Sequence, residues 1–212
     1  MEQEYKNLKL ISYPIVKREI TQLRDKRTTP EFFRAAVNRL SIILATEISK
    51  KFTLAEIEVE TPLEKTTGYK LSQEIILVPI LRAGLGMVNG FLEVIPDAKV
   101  GHVGMERDEE TLKPKTYYFK LPSTKGNNMI IILDPMLATG GSVTAAISKL
   151  KRNGIDNCIF ASLVSAPEGI KKVFEAYPDI EIYTTALDRE LNEKGYILPG
   201  LGDAGDRTFG TL

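Results

Sequence analysis

The stretch from Met129 to Ser142 holds the residue types of a phosphate-binding site in a usable order. An unbroken apolar run, Met129 to Leu133, is followed by Asp134, then by Pro135, Met136, Leu137 and Ala138, and then by Thr139, Gly140, Gly141 and Ser142. This reads as a buried strand that delivers an acid at its carboxyl end, a short loop, and the first turn of a helix. Glycines allow a ligand close to the backbone, and a helix N-terminus directs unpaired N–H groups and a positive partial charge at an anion. The hydroxyls of Thr139 and Ser142 add donors. A plain turn with a serine cap would account for Thr139 to Ser142, but it would leave Asp134 unexplained. The pattern Gly-x-x-x-x-Gly-Lys-Ser/Thr is absent, which argues against an ATPase of that type.

Two other glycine clusters look like dinucleotide fingerprints and fail as such. In the segment from Gly84 through Gly86 to Gly90, the third glycine comes one residue late. Gly200, Gly202 and Gly205 match the spacing literally, but they follow Pro199, and only seven residues remain for a helix and a second strand. His102, the one histidine, lies inside an apolar strand and reads as a satisfied structural residue rather than a general base. Cys158 begins an apolar run with no partner motif and reads as a small buried residue.

The elements that position these residues follow from periodicity. Ile15, Val16, Ile20 and Leu23 recur at helical spacing behind Pro14, which predicts a helix over 14–25. A second helix is expected to start with Pro30 at its first position, carrying the stripe Phe33, Ala36, Val37, Leu40, Ile43, Leu44 and Ile48. Ile57 to Thr61 alternates and reads as a half-exposed strand with Glu56, Glu58 and Glu60 on a solvated face. Short, mostly β-branched runs then follow at 75–79, 100–105, 129–133, 158–164 and 180–186, as in strands buried on both faces of a parallel sheet. Helices are expected between them at 85–94, 142–152 and 169–177. The reading is one α/β domain over 1–212, an open, mostly parallel sheet flanked by helices, with N-terminal helices and a tail at 188–212 as additions.

Composition sets outer bounds. Lys and Arg number 28, as do Asp and Glu, so the formal charge is zero and a general nucleic-acid binder is not suggested. The N-terminal residues lack the basic start and apolar core of a signal peptide, and the most apolar stretch, 75–81, is far short of a membrane span. A single cysteine fits a reducing compartment. The expectation is a cytoplasmic protein without membrane or nucleic-acid partners.

Three blocks together resemble the uracil phosphoribosyltransferases: Asp134 to Ser142, Val78 to Gly86, and the glycine-rich tail from Gly195 to Arg207. The likeness extends to Leu23 to Lys26 and to Phe209 to Thr211, and the tail is its most specific part. The resemblance implies the type I phosphoribosyltransferase fold, with a small hood formed by the tail. It also implies transfer of the phosphoribosyl group of 5-phosphoribosyl diphosphate (PRPP) to N1 of uracil, giving UMP and diphosphate. On that resemblance, PRPP is bound by Arg82, Arg107, Asp134, Pro135, Met136, Leu137, Ala138, Thr139, Gly140, Gly141, Ser142 and Asp203. Residues 138–142 would hold the 5-phosphate, Asp134 the ribose hydroxyls, and the two arginines the diphosphate. Ile197, Gly202, Asp203 and Ala204 would surround uracil, read mainly by the main chain.

Arg107 and Asp203 are expected to stabilise the transition state and the departing diphosphate. Mg2+ is the implied cofactor, held mainly by PRPP and water because Pro135 replaces the second acid of the wider superfamily. No protein metal ligand is assigned, and Asp203 is a contributor at most. A GTP effector and a homo-oligomer, dimer or tetramer, come with the same resemblance, with the N-terminal helices as the subunit contact. The charged segment 107–118, which leads into a strand-like run at 117–121, reads for most of its charges as a solvated hairpin, while the resemblance implies a flap over the site at this position. A regulator of this fold that binds RNA would need a basic face. Transfer to a purine or orotate would need a different tail.

Overall fold

The computed structural model describes residues 5–107, 114–123 and 126–211. In chain order the elements begin with β1 (Leu8–Leu10), α1 (Pro14–Arg24), α2 (Pro30–Ser49), β2 (Leu54–Glu60), β3 (Lys65–Leu71), β4 (Glu74–Leu81) and α3 (Leu85–Val94). There follow β5 (Lys99–Val100), β6 (His102–Arg107), β7 (Pro114–Lys120), β8 (Asn128–Leu133), β9 (Met136–Leu137) and α4 (Gly141–Arg152). The last are β10 (Cys158–Ser165), α5 (Pro167–Ala176), β11 (Glu181–Leu187), β12 (Glu190–Leu191), β13 (Ile197–Leu198) and α6 (Ala204–Phe209).

The main sheet runs β1-β11-β10-β8-β4-β6-β7, and only the β6–β7 pair is antiparallel. Its central strands read as continuous apolar runs because each face meets a separate core. Along β8, Met129, Ile131 and Leu133 point to one side, where Phe33, Leu40, Leu44, Met87 and Phe91 of α2 and α3 pack. Ile130 and Ile132 point to the other, against Val143, Ile147 and Leu150 of α4 and Val173 of α5. All five β8 residues are buried, and each such side chain contributes about 1.5–3 kcal/mol of transfer free energy. Alternation thus persists in β8, but between two apolar layers, which is why no polar residue marks it.

The helices expected at 14–25, 85–94, 142–152 and 169–177 form within two residues of those bounds, and α2 starts at Pro30. The stripe of α2 is buried at Phe33, Ala36, Val37, Leu40, Leu44 and Ile48. Between α1 and α2, Glu19 is fully buried and bound by Arg18 at 2.5 Å and Arg39 at 2.6 Å. Burial pushes its carboxyl up, but the two guanidinium groups outweigh that and hold it below its ordinary value.

Three features differ from the pattern reading. β1 adds a parallel edge strand beside β11 and is too short at three residues to show a period. The alternating strand at 57–61 is longer and pairs with β3 in a hairpin separate from the main sheet, with Glu56, Glu58 and Glu60 exposed. The tail, expected only as an addition to the domain, contains the β12–β13 pair and α6.

Candidate functional site

Three segments meet at the carboxyl ends of β4, β8 and β10. The first is the turn after β4, Arg82 to Gly84, where Arg82 follows Leu81 through a cis peptide bond. The second is the loop 134–142 after β8. The third is the tail from Ile197 to Asp206. Glycines show how closely they stand. A Cβ at Gly84 would lie 2.3 Å from the carbonyl oxygen of Leu133, so the turn after β4 presses on the end of β8. A Cβ at Gly195 would touch the Thr139 methyl at 3.4 Å, and one at Gly205 would meet the Cβ of Ala83 at 3.8 Å. The tail therefore reaches both other segments.

Within the loop, Asp134 accepts a hydrogen bond from the Met136 N–H at 3.2 Å. Burial pushes its carboxyl up to about 7, opposed by that N–H and reinforced by the negative charge of Asp203. Gly140 caps α4 at φ +74°, a left-handed conformation that glycine adopts without strain. Thr144 donates to the Gly140 carbonyl oxygen through both N–H and hydroxyl. The N–H groups at the start of α4, on Gly141, Ser142 and Val143, have no acceptor within the helix, and that of Gly141 donates to the Thr139 hydroxyl oxygen at 3.5 Å.

The expected site residues divide by the state of their polar atoms. Ala138, Thr139, Gly141 and Ser142 are partly exposed and present the loop's open face. Pro135 and Leu137 are buried, and their carbonyls already accept from Leu163, Val164 and Ala166. These two therefore fasten the loop to β10. Met136 is half-buried against the first core. Ile197 and Ala204 are likewise core residues at 5% and 4% exposure, so anything they offer a ligand is main chain. Gly202, at φ +83°, and Asp203 are exposed. Asp203 caps α6 by accepting from the Asp206 N–H at 2.9 Å.

Arg82 is more than half exposed, 3.2 Å from the Asp206 carboxylate, with its guanidinium 6.0 Å from the ring centre of Phe209. Arg107 closes β6. Its side chain lies outside the described residues, as does the segment 108–113 of the expected flap. His102 is half-buried in β6. Cys158 begins β10 at the opposite, amino-terminal edge of the sheet, in a cavity of about 400 Å³ lined by Lys51, Lys151 and Tyr177 among others. Burial pushes its thiol up to about 11, so it is protonated at neutral pH and a poor nucleophile.

Pattern reading missed the fastenings beneath the tail. Arg24 binds Asp188 through both guanidinium nitrogens and donates to the Gly200 carbonyl oxygen at 2.9 Å. Asp188 in turn accepts from the Gly200 N–H at 2.8 Å. Arg207 is buried, donating to the carbonyl oxygens of Leu23, Leu201 and Asp25 with its guanidinium 4.5 Å over Phe33. Arg207 sits among Asp203, Asp206, Thr208 and glycines, so its local sequence gives no sign that it is buried. Nothing local marks Arg24 and Asp188, which are 164 residues apart.

The arrangement offers anion-binding donors near two carboxyl groups, Asp134 and Asp203, under a glycine-rich main-chain hood. The family model described as uracil phosphoribosyltransferase matches residues 10–211. A uracil phosphoribosyltransferase of Streptococcus mutans is 54% identical over 203 residues, covering 95% of this chain and 97% of that protein. A solved structure from Aquifex aeolicus superposes with a TM-score of 0.90 at 40% identity, covering 95% of this chain and 97% of that one. A hypoxanthine-guanine phosphoribosyltransferase from Bacillus anthracis has a TM-score of 0.52 at 13% identity, covering 75% of this chain and 80% of that one, and shares the fold alone.

Proposed function

The chain belongs to the uracil phosphoribosyltransferase family, and we infer that it transfers the phosphoribosyl group of PRPP to N1 of uracil, giving UMP and diphosphate. It is a pentosyltransferase with the α/β phosphoribosyltransferase fold, acting in uracil salvage. One observation carries the placement of the reaction: the phosphate loop, the turn at Arg82 and the hood converge at one end of the sheet.

The chemistry asks three things of the protein. It must hold the 5-phosphate, for which we propose the α4 amino end with residues 138–142. It must orient the ribose hydroxyls, for which Asp134 stands at the loop's root. It must stabilise charge as the C1–diphosphate bond breaks, with positive charge growing at C1 and negative charge on the leaving group. Arg82 and Arg107 suit the latter, since guanidinium forks match phosphate oxygens. Arg82 would exchange Asp206 for diphosphate, a small change because that pair is exposed. Uracil presents two carbonyl acceptors and the N3–H donor, which main-chain amides and carbonyls around Ile197, Gly202, Asp203 and Ala204 would read. Water takes the N1 proton in this proposal.

Mg2+ fits the site as a companion of PRPP. The negative charge of Asp203 acting on Asp134 is what a divalent cation would offset, while no cluster of three or more ligating side chains occurs among the described residues. Asp203, diphosphate oxygens and water would hold the ion. When bound, it neutralises diphosphate charge.

We propose further that the protein works as a homo-oligomer, dimer or tetramer. Exposed Tyr13, Ile15 and Phe32 on or beside α1 and α2 support this, as does the hairpin β2–β3, which carries exposed Leu54, Val59, Leu63 and Tyr69. The family resemblance supports a GTP effector, and the free thiol of Cys158 fits a cytoplasmic setting.

The test is UMP formation from labelled uracil and PRPP with Mg2+, beside orotate, hypoxanthine and adenine. Turnover is expected with uracil alone, falling by about a hundredfold or more in Arg107→Ala and Asp203→Asn. Turnover with another base, or none, overturns the reading.

A further inference from the structure

Gly169 lies in the first turn of α5 and its φ is not in the left-handed region, so backbone conformation does not demand glycine there. In a helix, glycine is less favourable than alanine. Its use is steric. A Cβ at Gly169 would lie 2.3 Å from the carbonyl oxygen of Ala138 and 3.0 Å from that of Leu137. The approach is reciprocal, because a Cβ at Gly140 would lie 2.8 Å from the Gly169 carbonyl oxygen. The backbones of the phosphate loop and of α5 thus touch at Leu137, Ala138 and Gly140, on either side of Thr139. The contact is extended by the Ala166 N–H, which donates to Leu137 at 2.8 Å, and by the pairing of β9 with β10.

The adjacent residue faces the other way. Glu168 accepts from the Leu191 N–H at 2.9 Å, and Leu191 is the strand partner of Ile197. A carboxylate in the first turn of a helix is favoured there by the helix dipole. Two consecutive residues therefore reach the two substrate subsites, Gly169 the phosphate loop and Glu168 the base hood.

We propose that the α5 first turn is a positioning element for both subsites. Gly169 sets the height of the phosphate loop through van der Waals exclusion, and Glu168 sets the hood through a single hydrogen bond. Neither touches substrate, and the inference rests on the phosphoribosyl-transfer reading above.

The test uses the full chain with Mg2+, combining calorimetric titration with PRPP and steady-state UMP formation. Gly169→Ala is expected to weaken PRPP binding by about tenfold or more while the KM for uracil moves by less than about twofold. Glu168→Ala is expected to raise the KM for uracil by about threefold to tenfold with PRPP affinity unchanged, and Glu168→Gln, whose amide oxygen still accepts, to restore it. Unchanged PRPP affinity in a folded Gly169→Ala overturns the proposal. So does identical behaviour of Glu168→Ala and Glu168→Gln, or equal loss toward both substrates. Should Gly169→Ala not fold, the exposed Glu168 pair decides alone. If the wild type forms no UMP, the transfer reading falls, while the PRPP titration still reads the Gly169 contact.

Discussion

Burial, and to a lesser degree the negative charge of Asp203, pushes the Asp134 carboxyl up to about 7. A carboxyl raised above its unfolded value binds extra protons in the folded state. Stability therefore falls as pH rises from about 4 toward 7 and stays low above that. Asp134→Asn removes the penalty. In metal-free buffer at pH 8 its Tm is expected above wild type, by an equivalent of about 1–2 kcal/mol. The gain should vanish by pH 4, while UMP formation is largely lost at every pH. Thermal melts across pH 4–8 check this, and a Tm advantage independent of pH contradicts it. The acid's position was legible, because an Asp ending an apolar run has few structural reasons to be there. Its neighbour Asp203, 69 positions along the chain, could be joined to it only through the fold or the resemblance.

Among the elements, those that read well from sequence carry their own signal. The α2 stripe and the apolar runs of β4, β8 and β10 are long enough to show a period or its absence. Those that did not, β12, β13 and α6, hold two to six residues each and owe their shape to tertiary fastening. Arg207 is the chief fastener of α6. Arg207→Met keeps much of the bulk over Phe33 but takes the donor from the Leu23 and Leu201 carbonyls, while that of Asp25 keeps only the Thr28 N–H. The expected loss is about 2–4 kcal/mol of stability by denaturant melt. Arg207→Lys should recover only part of it, since an ammonium cannot span the three oxygens as the guanidinium does. A loss below about 0.5 kcal/mol for Arg207→Met would show that the tail holds without it.

At the scale of the whole molecule, the architecture followed from the alternation of runs and helices, whereas the hairpin at 54–71 did not, because its second strand shows no period and has only Tyr69 and Leu71 as large apolar residues. An isolated two-stranded hairpin is marginal in water, and Leu63 at its turn is 95% exposed. If a second copy covers it, Leu63→Asp with Tyr69→Asp should lower the sedimentation coefficient toward that of a single chain, leaving far-UV circular dichroism unchanged. A wild type that already sediments as one chain removes the oligomer proposal and leaves the catalytic reading intact.

The grip of Arg207 on Leu23 and Asp25 joins positions about 180 residues apart. On the ribosome, the sheet and the phosphate loop emerge well before that grip can close, so the uracil hood is the last part to be secured. A product released before Arg207 would retain the strands and helices that make a stable body, but Gly200 to Gly202 would lose one of their two anchors to α1. Such a fragment could hold phosphate without discriminating bases. If the hood reads the base as proposed, tying it to the first helix through Arg207 makes base selection conditional on synthesis having passed that residue.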